Sequence, residues 1–298
     1  MTLAVSSEIA AAVRDGAPVV ALETALVTHG LPEPLNVDVA LRMEAAVRAA
    51  GALPATIGIV AGSARVGLSG DELRRLGRSG AARKVSIRDL PVAVAQGEDG
   101  GTTVSATIRL AHAAGIGVMA TGGIGGVHRG HPHDVSADLA ELARTPLVVT
   151  CAGAKAILDL ALTLEWLETR GVTVVGYGTD TFPAFYSRSS GLPVDANADG
   201  PEEVCRIARA QRALGFSSAL VVGVPVPEAD EVPAEEIEGA IVAALADAER
   251  RGVTGAAVTP FLLREVGALT DGRATRANVV LLERSAHVAG KIAVALAS

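Results

Sequence analysis

The chain has 298 residues, of which 49% are hydrophobic and only 2% aromatic, and its formal net charge is −7 with no basic run. Few aromatic platforms and no basic surface argue against nucleic acid as a partner. No apolar stretch reaches the roughly 18 residues of a membrane span, and residues 1–18 lack a signal-peptide pattern. We therefore expect a cytoplasmic, single α/β domain over 1–298 that acts on a small molecule. Cys151 and Cys205 are too few for a disulfide framework and are read as core residues.

Short β-branched segments alternate with segments of helical periodicity along the chain. This alternation predicts an α/β/α layered sandwich with a mostly parallel central sheet. After an N-terminal amphipathic helix, the predicted strands are VVALET, ATIGIVAG, IGVMATGG, LVVTCAG, VTVVGYGT and ALVVGVPVP. The predicted helices are LNVDVALRMEAAVRAAG, TTVSATIRLAHAAG, SADLAELAR, KAILDLALTLEWLETRG, PEEVCRIARAQRALG and a final amphipathic segment. The stretches 193–203 and 225–238 are interpreted as surface connections.

Functional residues are expected just beyond the predicted strands, because ligands of open α/β sheets bind outside the carboxyl ends of the strands. The candidates at these ends are Glu23 and the segments 121–126, 151–155 and 178–180. Glu23 follows apolar residues, where burial should raise its pKa and suit it to general acid catalysis.

Lysine is rare in this chain, since only Lys84, Lys155 and Lys291 are lysines among 26 basic side chains. Lys155 follows TCAGA at a strand end and is predicted to open an apolar helix. A desolvated amine there suits Schiff-base chemistry with a carbonyl or an anomeric carbon, whereas a lysine that pairs with a nearby acid is the alternative. Lys84, beside Arg83 and Arg88, suits a phosphate.

Two further segments carry weaker signals. The glycines of TGGIGGVHRG let backbone N–H groups approach an anion, with His128 as an added donor, or they form a packing turn. The segment is neither a dinucleotide fingerprint nor a Walker A loop. In HPHDVSADLAE, Asp134 and Asp138 would share one side of a helix that begins near Asp134, as a functional pair or as helix caps. His131 and His133 could join Asp134 in a metal site, although their spacing is weak support.

Taken together, these segments resemble the pseudouridine-5'-phosphate glycosidase family almost end to end. The resemblance rests on the segments ALETALVTHGLP, GALPATIGI, KVSIRDLP, GGTTVSATIRLAHAAGI, TGGIGGVHRG, VSADLAELA, CAGAKAILD and VTPFLL. It implies reversible cleavage of the C–C glycosidic bond between ribose 5-phosphate and uracil. It also implies a homotrimeric α/β/α enzyme.

The resemblance implies a role for each matching residue. Lys155 matches the lysine that attacks C1' and forms an imine with ring-opened ribose 5-phosphate, and Glu23 matches the proton donor. Asp134 matches the acidic ligand of a divalent metal, usually manganese (Mn2+). The residues that match sugar-phosphate or base contacts are Lys84, Thr103, Val104, His128, Ser136, Ala137, Asp138 and, near the nucleobase, Asn278.

Departures from the family pattern fall away from these sugar-directed residues. They are Gly223–Pro225, Glu283 and Arg284, Ile87, Gly178 and Ala256. A site that loses hydrogen-bonding partners for uracil loses discrimination, so the departures favour an altered pocket for the base. A synthase that attaches ribose 5-phosphate to another aromatic acceptor is therefore the first alternative. A non-catalytic sugar-phosphate binding protein is the second.

Overall fold

A computed structural model describes residues 3–253, 255 and 258–298, so Ala256 lies outside the described residues. The strands are β1 (Ala4–Val5), β2 (Val19–Leu22), β3 (Leu53–Val60), β4 (Ser63–Val66), β5 (Arg83–Val85), β6 (Gly100–Thr102), β7 (Val118–Ala120), β8 (Val127–His128), β9 (His131–Val135), β10 (Val148–Cys151), β11 (Leu158–Asp159), β12 (Thr173–Tyr177), β13 (Ala196–Ala198) and β14 (Leu220–Gly223). The helices are α1 (Ser7–Arg14), α2 (Leu35–Ala49), α3 (Gly70–Arg78), α4 (Leu90–Ala95), α5 (Val104–Ala113), α6 (Ala137–Leu142), α7 (Leu160–Thr169), α8 (Pro201–Ala213), α9 (Ala234–Arg250), α10 (Val258–Leu269) and α11 (Arg273–Ala297). A π-helix spans Leu26–Gly30, and 3-10 helices span Ile87–Asp89 and Glu228–Asp230.

Eleven strands form one sheet whose centre is parallel. Within this sheet, a run of strands has only parallel neighbouring pairs. The order of the run is β3, β2, β7, β10, β14, β12 and β13. At one end of this run, β4 and β6 pair antiparallel with β3. Strands β8, β9 and β11 form a separate three-stranded antiparallel sheet. The prediction of a mostly parallel central sheet is confirmed.

The central strands are covered by helices. Every residue of β2, β10 and β14 is buried. A strand without an exposed face needs cover on both sides of the sheet. Helix α11 packs with α2 and α8 and contacts β2, β7 and β10, whereas α5 packs with α6 and contacts β2 and β3. The hydroxyl of Thr150 on β10 donates to the Ser285 carbonyl of α11 at 3.0 Å. The result is the expected α/β/α arrangement.

All six predicted strands are present, but several local expectations are wrong, among them the surface connection over 225–238, which contains a 3-10 helix and the start of α9. Lys155 does not open a helix: α7 begins at Leu160, because the Asp159 side chain caps it by accepting from the Leu162 N–H at 3.0 Å. The stretch 193–203 is more than a surface connection, since it contains β13 at the sheet edge. Both cysteines are buried core residues, as expected, and burial raises the pKa of the Cys151 thiol to about 12.

Among the described residues, none of the helices combines the length and the apolar character needed to cross a membrane.

The loop after β10 depends on a glycine. Gly153 has φ of +89°, and a Cβ at this position would lie 1.9 Å from the carbonyl oxygen of Pro183. An alanine would therefore meet both an unfavourable backbone conformation and a collision with a fixed backbone atom.

We expect Gly153→Ala to lower the free energy of unfolding by about 2–4 kcal/mol, which combines left-handed strain with overpacking. Gly178→Ala is the matched control, because Gly178 has φ of +65° with nothing within 4 Å of the added Cβ. It should cost only about 1–2 kcal/mol. Urea denaturation measures both values, and equal losses would show that the Pro183 contact is unimportant.

Candidate active site

Three neighbouring strands end at the candidate site. Strand β2 is followed directly by Glu23, β7 directly by Thr121, and β10, after a short loop, by Lys155. Because β2, β7 and β10 are adjacent and parallel, these side chains meet at the same edge of the sheet.

Glu23 is buried, with 7% of its surface exposed. The hydroxyl of Thr121 donates a short hydrogen bond to Glu23 Oε1. Burial is the largest influence and raises the pKa of Glu23, while Lys155, the Thr121 hydrogen bond and Lys84 act in the opposite direction. The carboxyl group is therefore arranged to keep its proton to a higher pH than an exposed glutamate, as the sequence predicts.

Backbone hydrogen bonds fix the loop that carries Lys155. The Ala152 N–H donates to the Gly122 carbonyl at 2.8 Å, and the Lys155 N–H donates to the Ile124 carbonyl at 3.1 Å. The Ile124 N–H in turn donates to the Gly153 carbonyl at 3.1 Å. The loops after β7 and β10 are thus joined, which places Lys155 relative to Thr121 and Glu23.

A cavity of about 550 Å³ lies at these strand ends. Four residues predicted for the site line it together: Glu23, Lys84, Lys155 and Asn278. The other polar side chains in its described lining are His29, Thr121 and Thr259, and the larger apolar ones are Leu26, Leu31, Phe185, Pro260, Leu263 and Leu282. The cavity therefore combines an acid, two amines and an apolar wall.

Lys84 lies on β5 and is half-buried. Burial is the largest influence on the pKa of Lys84 and lowers it, and the charge of Lys155 lowers it further. Asp138 and Glu23 act in the opposite direction. Glu23 and Lys84 thus lie within electrostatic reach of each other and of Lys155 and Asp138. Two amines and two carboxyl groups share this region, and the raised pKa of Glu23 favours its neutral form, which leaves the amines suited to an anionic ligand.

Asp138 joins two loops instead of lining the cavity. Its Oδ1 accepts from the Ser105 N–H and its Oδ2 from the Gly125 N–H, each at 2.9 Å. The residue is 5% exposed. The start of α5 is thereby held against the glycine loop, so Asp138 shapes the surroundings of the amines.

Four other predicted sugar-phosphate residues, Thr103, Val104, Ser136 and Ala137, lie at helix starts beside the cavity. Thr103 is the N-cap of α5, and Val104 is its first residue. Ser136 caps α6 by accepting from the Asp138 N–H at 3.2 Å, and Ala137 begins that helix. The Thr103 N–H donates to the Val85 carbonyl at 2.9 Å, so the partial positive charge of the helix start is what favours an anion here.

His128 and Asp134 lie on the small antiparallel sheet, on β8 and β9, and neither lines the described part of the cavity. Asp134 is exposed on a strand, so the expectation that a helix begins near it, or that it caps one, is wrong. His131, His133 and Asp134 lie on the same short strand, whose pairing with β8 is irregular. Among the described residues these three side chains do not group to hold one ion.

The fit to a divalent metal is limited. Among residues 3–253, 255 and 258–298, no three His, Cys, Asp or Glu side chains group to hold an ion. A single exposed carboxylate such as Asp134 fits a hydrated hard cation that keeps most of its water ligands, but it does not form a protein cage.

The departures from the family pattern do not line the cavity where the structure describes them. Glu283 forms an ion pair with Arg42 of α2 at 2.5 Å, so it faces the neighbouring helix. Gly178, Ile87 and the 223–225 segment also lie outside the described cavity lining. These substitutions therefore do not carry an altered base pocket within this chain.

Sequence reasoning missed several lining residues, notably His29, Phe185, Thr259 and Leu263. His29 and Thr259 belong to the segments ALVTHGLP and VTPFLL, which matched the family as a whole but gave no signal for a single side chain. Phe185 adopts φ of +65°, which no sequence pattern marks.

Comparisons with known proteins agree with this arrangement. The family described as indigoidine synthase A like protein matches residues 8–295. A pseudouridine-5'-phosphate glycosidase of Methylobacterium nodulans is 54% identical over 97% of this chain and 86% of its own length. One from Chloroflexus aurantiacus is 52% identical over 98% of each chain.

Two solved structures are similar. The prealnumycin C-glycosynthase AlnA, in complex with ribulose 5-phosphate, has a TM-score of 0.90 and 40% identity over 98% of this chain and 96% of its own. An indigoidine synthase A-like protein of Thermotoga maritima has a TM-score of 0.89 and 41% identity over 95% and 94%. The chain therefore belongs to the indigoidine synthase A-like family, which includes the pseudouridine-5'-phosphate glycosidases.

Proposed function

We propose that this protein is an enzyme that reversibly cleaves the C–C glycosidic bond of pseudouridine 5'-phosphate to uracil and ribose 5-phosphate. The observation that carries the proposal is the meeting of Lys155 and the buried Glu23 in one cavity. Two relatives named pseudouridine-5'-phosphate glycosidase are 54% and 52% identical in sequence to this chain, whereas the C-glycosynthase is 40% identical.

Lys155 forms the covalent intermediate. Its amine attacks C1' while the C1'–O4' bond breaks, and the proton lost by the nitrogen passes to O4'. The ring-opened sugar is then held on the lysine nitrogen as a secondary amine. After C5 of the base has gained a proton, the C1'–C5 bond breaks and its electrons restore the base, while the nitrogen lone pair forms the imine. Water then hydrolyses the imine and releases ribose 5-phosphate.

Glu23 supplies the proton to C5 of the base. A general acid must hold its proton at the working pH, and burial favours this form of Glu23. Thr121 orients the carboxyl group through its hydroxyl.

The phosphate and sugar bind beside the cavity. Lys84 lines the cavity and supplies positive charge. Thr103 and Val104 would contribute the partial positive charge at the start of α5. Ser136, Ala137 and Asp138 border the same region from α6. Asn278 contacts the base, because it lines the cavity from α11.

Asp134 would hold a hydrated divalent cation, Mn2+ by resemblance. Bound there, the ion would supply positive charge that favours a sugar-phosphate ligand. His128, on the neighbouring strand, would contact the substrate, also by resemblance. The resemblance also extends to a cytoplasmic homotrimer.

A C-glycosynthase is the second candidate function, favoured by the similarity to AlnA. It would use the same imine and a different aromatic acceptor. A binding protein without activity would have no use for a nucleophilic amine beside a buried acid.

We expect the protein to form pseudouridine 5'-phosphate from uracil and ribose 5-phosphate, because Lys155 and Glu23 serve both directions. Borohydride with ribose 5-phosphate should trap the imine on Lys155, as peptide mass mapping shows. The Lys155→Ala variant should form no pseudouridine 5'-phosphate and carry no trapped sugar adduct. Lys291 is exposed, so the Lys291→Ala variant should retain both the product and the adduct. Label elsewhere would refute the mechanism, and trapped imine without product from uracil would favour the synthase.

The cleavage rate should fall as the pH rises through the raised pKa of Glu23, because the acid then loses its proton. Thr121→Val removes a hydrogen bond that lowers this pKa, so its fall in rate should lie at higher pH than in the parent protein. Thr121→Ser keeps the hydroxyl and should retain the parent profile. The measurement is the cleavage rate of each protein as a function of pH. If the Thr121→Val variant and the parent protein had the same pH profile, the prediction would be contradicted.

Asp134→Asn should raise the Mn2+ concentration that gives half-maximal activity by roughly ten-fold or more, since one carboxylate dominates a hydrated site. His131→Gln is the control, because His131 lies on the same exposed strand and is not assigned to the ion. Direct Mn2+ titration by electron paramagnetic resonance gives binding independently of turnover. Unchanged Mn2+ binding in Asp134→Asn would remove this residue from the metal site.

A further inference from the structure

His29 lines the cavity but has no part in the mechanism above. It belongs to the π-helix Leu26–Gly30, which begins four residues after β2 ends. Single π-helical turns are uncommon and occur frequently at functional sites. The irregular turn brings a half-buried imidazole to the same cavity as Glu23.

One ring nitrogen of His29 is already engaged. Nδ1 lies 2.7 Å from the Thr28 hydroxyl, whereas that hydroxyl lies 3.3 Å from the Thr24 carbonyl. The Thr24 carbonyl already accepts the N–H groups of Val27 at 3.0 Å and Thr28 at 3.1 Å. We assign the hydroxyl proton to Nδ1, the nearer of the two acceptors, and not to the Thr24 carbonyl, which is the other acceptor within reach. The ring proton is then on Nε2, which is the nitrogen left for a ligand.

The imidazole is a neutral donor. Burial, and then the charge of Lys84, lowers the pKa of His29, so the ring carries no charge near neutral pH. A neutral N–H suits a carbonyl oxygen better than a phosphate, for which the amine of Lys84 is the better donor.

The surroundings of His29 suit a flat, weakly polar ring. Leu26 and Leu31 flank it in the sequence, and α10, which packs on the π-helix, contributes Pro260 and Leu263 to the same lining. An apolar wall with a few well-placed polar groups is typical of sites for small planar ligands.

Most of the other polar groups of the cavity already have a hydrogen-bond partner or a role in the proposed reaction. Glu23 and Thr121 bond to each other, and the two lysines serve the sugar phosphate in the proposed reaction. A uracil ring, which carries two carbonyl oxygens, therefore needs donors from the other side chains of the lining, among them His29 and Asn278.

We propose that His29 determines specificity for the base, by donating its Nε2 proton to a carbonyl oxygen of uracil. This inference rests on the proposed function, since it concerns the leaving base of that reaction. It predicts that His29 acts on the base half and leaves imine formation with the sugar half unchanged.

The test compares His29→Phe with His29→Gln. Phe keeps a flat ring without a donor, whereas the Gln amide places an N–H near the position of Nε2. In the synthesis direction, the KM for uracil should rise roughly ten-fold in the Phe variant, as expected for one lost hydrogen bond. Gln should recover most of this loss. Borohydride trapping with ribose 5-phosphate alone should proceed at the parent rate in both variants.

Three results would overturn the assignment. An unchanged uracil KM in the Phe variant removes the contact, and equal losses in Phe and Gln show that the donor is irrelevant. A parallel loss of imine trapping shows a general structural role, which thermal denaturation of both variants would also reveal. If the parent protein makes no product from uracil, the proposed function fails and this inference with it, whereas an active parent with an unchanged variant refutes the inference alone.

Discussion

Burial of the Glu23 carboxyl is the constraint on which the rest of the site depends. A buried carboxylate is costly unless charges or donors compensate it, and here Thr121 donates to it while two lysines lie within electrostatic reach. Burial still outweighs these influences, so the pKa is raised. The site can therefore hold an acid and amines together without every group being charged, a condition for acid catalysis beside an amine nucleophile.

Main-chain contacts at the edge of the sheet position the acid and the amine relative to each other. The hydrogen bonds from Ala152 to Gly122 and from Lys155 to Ile124 join two strand ends, and a Cβ at Gly123 would lie 2.6 Å from the Phe185 ring. Such a loop has little freedom to rearrange. The nucleophile is thus positioned by main-chain contacts, which costs little ordering when the substrate binds.

The sequence predicts the strands and the positions of Glu23 and Lys155, because strand periodicity is local and the strand-end rule then brings distant residues together. It fails where tertiary contacts override local pattern. Asp134 lies on a strand although its neighbours are typical of a helix start, and the π-helix that presents His29 has no periodic signature of its own. The substitution at Glu283 seemed close to the base pocket in sequence, yet the helix turns that side chain toward Arg42.

The two halves of the cavity come from different parts of the chain. The reacting groups follow β2, β7 and β10, whereas the apolar wall comes from the π-helix, α10 and α11. Helices packed on the edge of a sheet can change side chains without disturbing the strand ends, so the apolar wall can vary while the strand-end groups of the proposed mechanism are kept. This separation gives a physical reason why glycosidases and a C-glycosynthase share one fold at 40–54% identity to this chain.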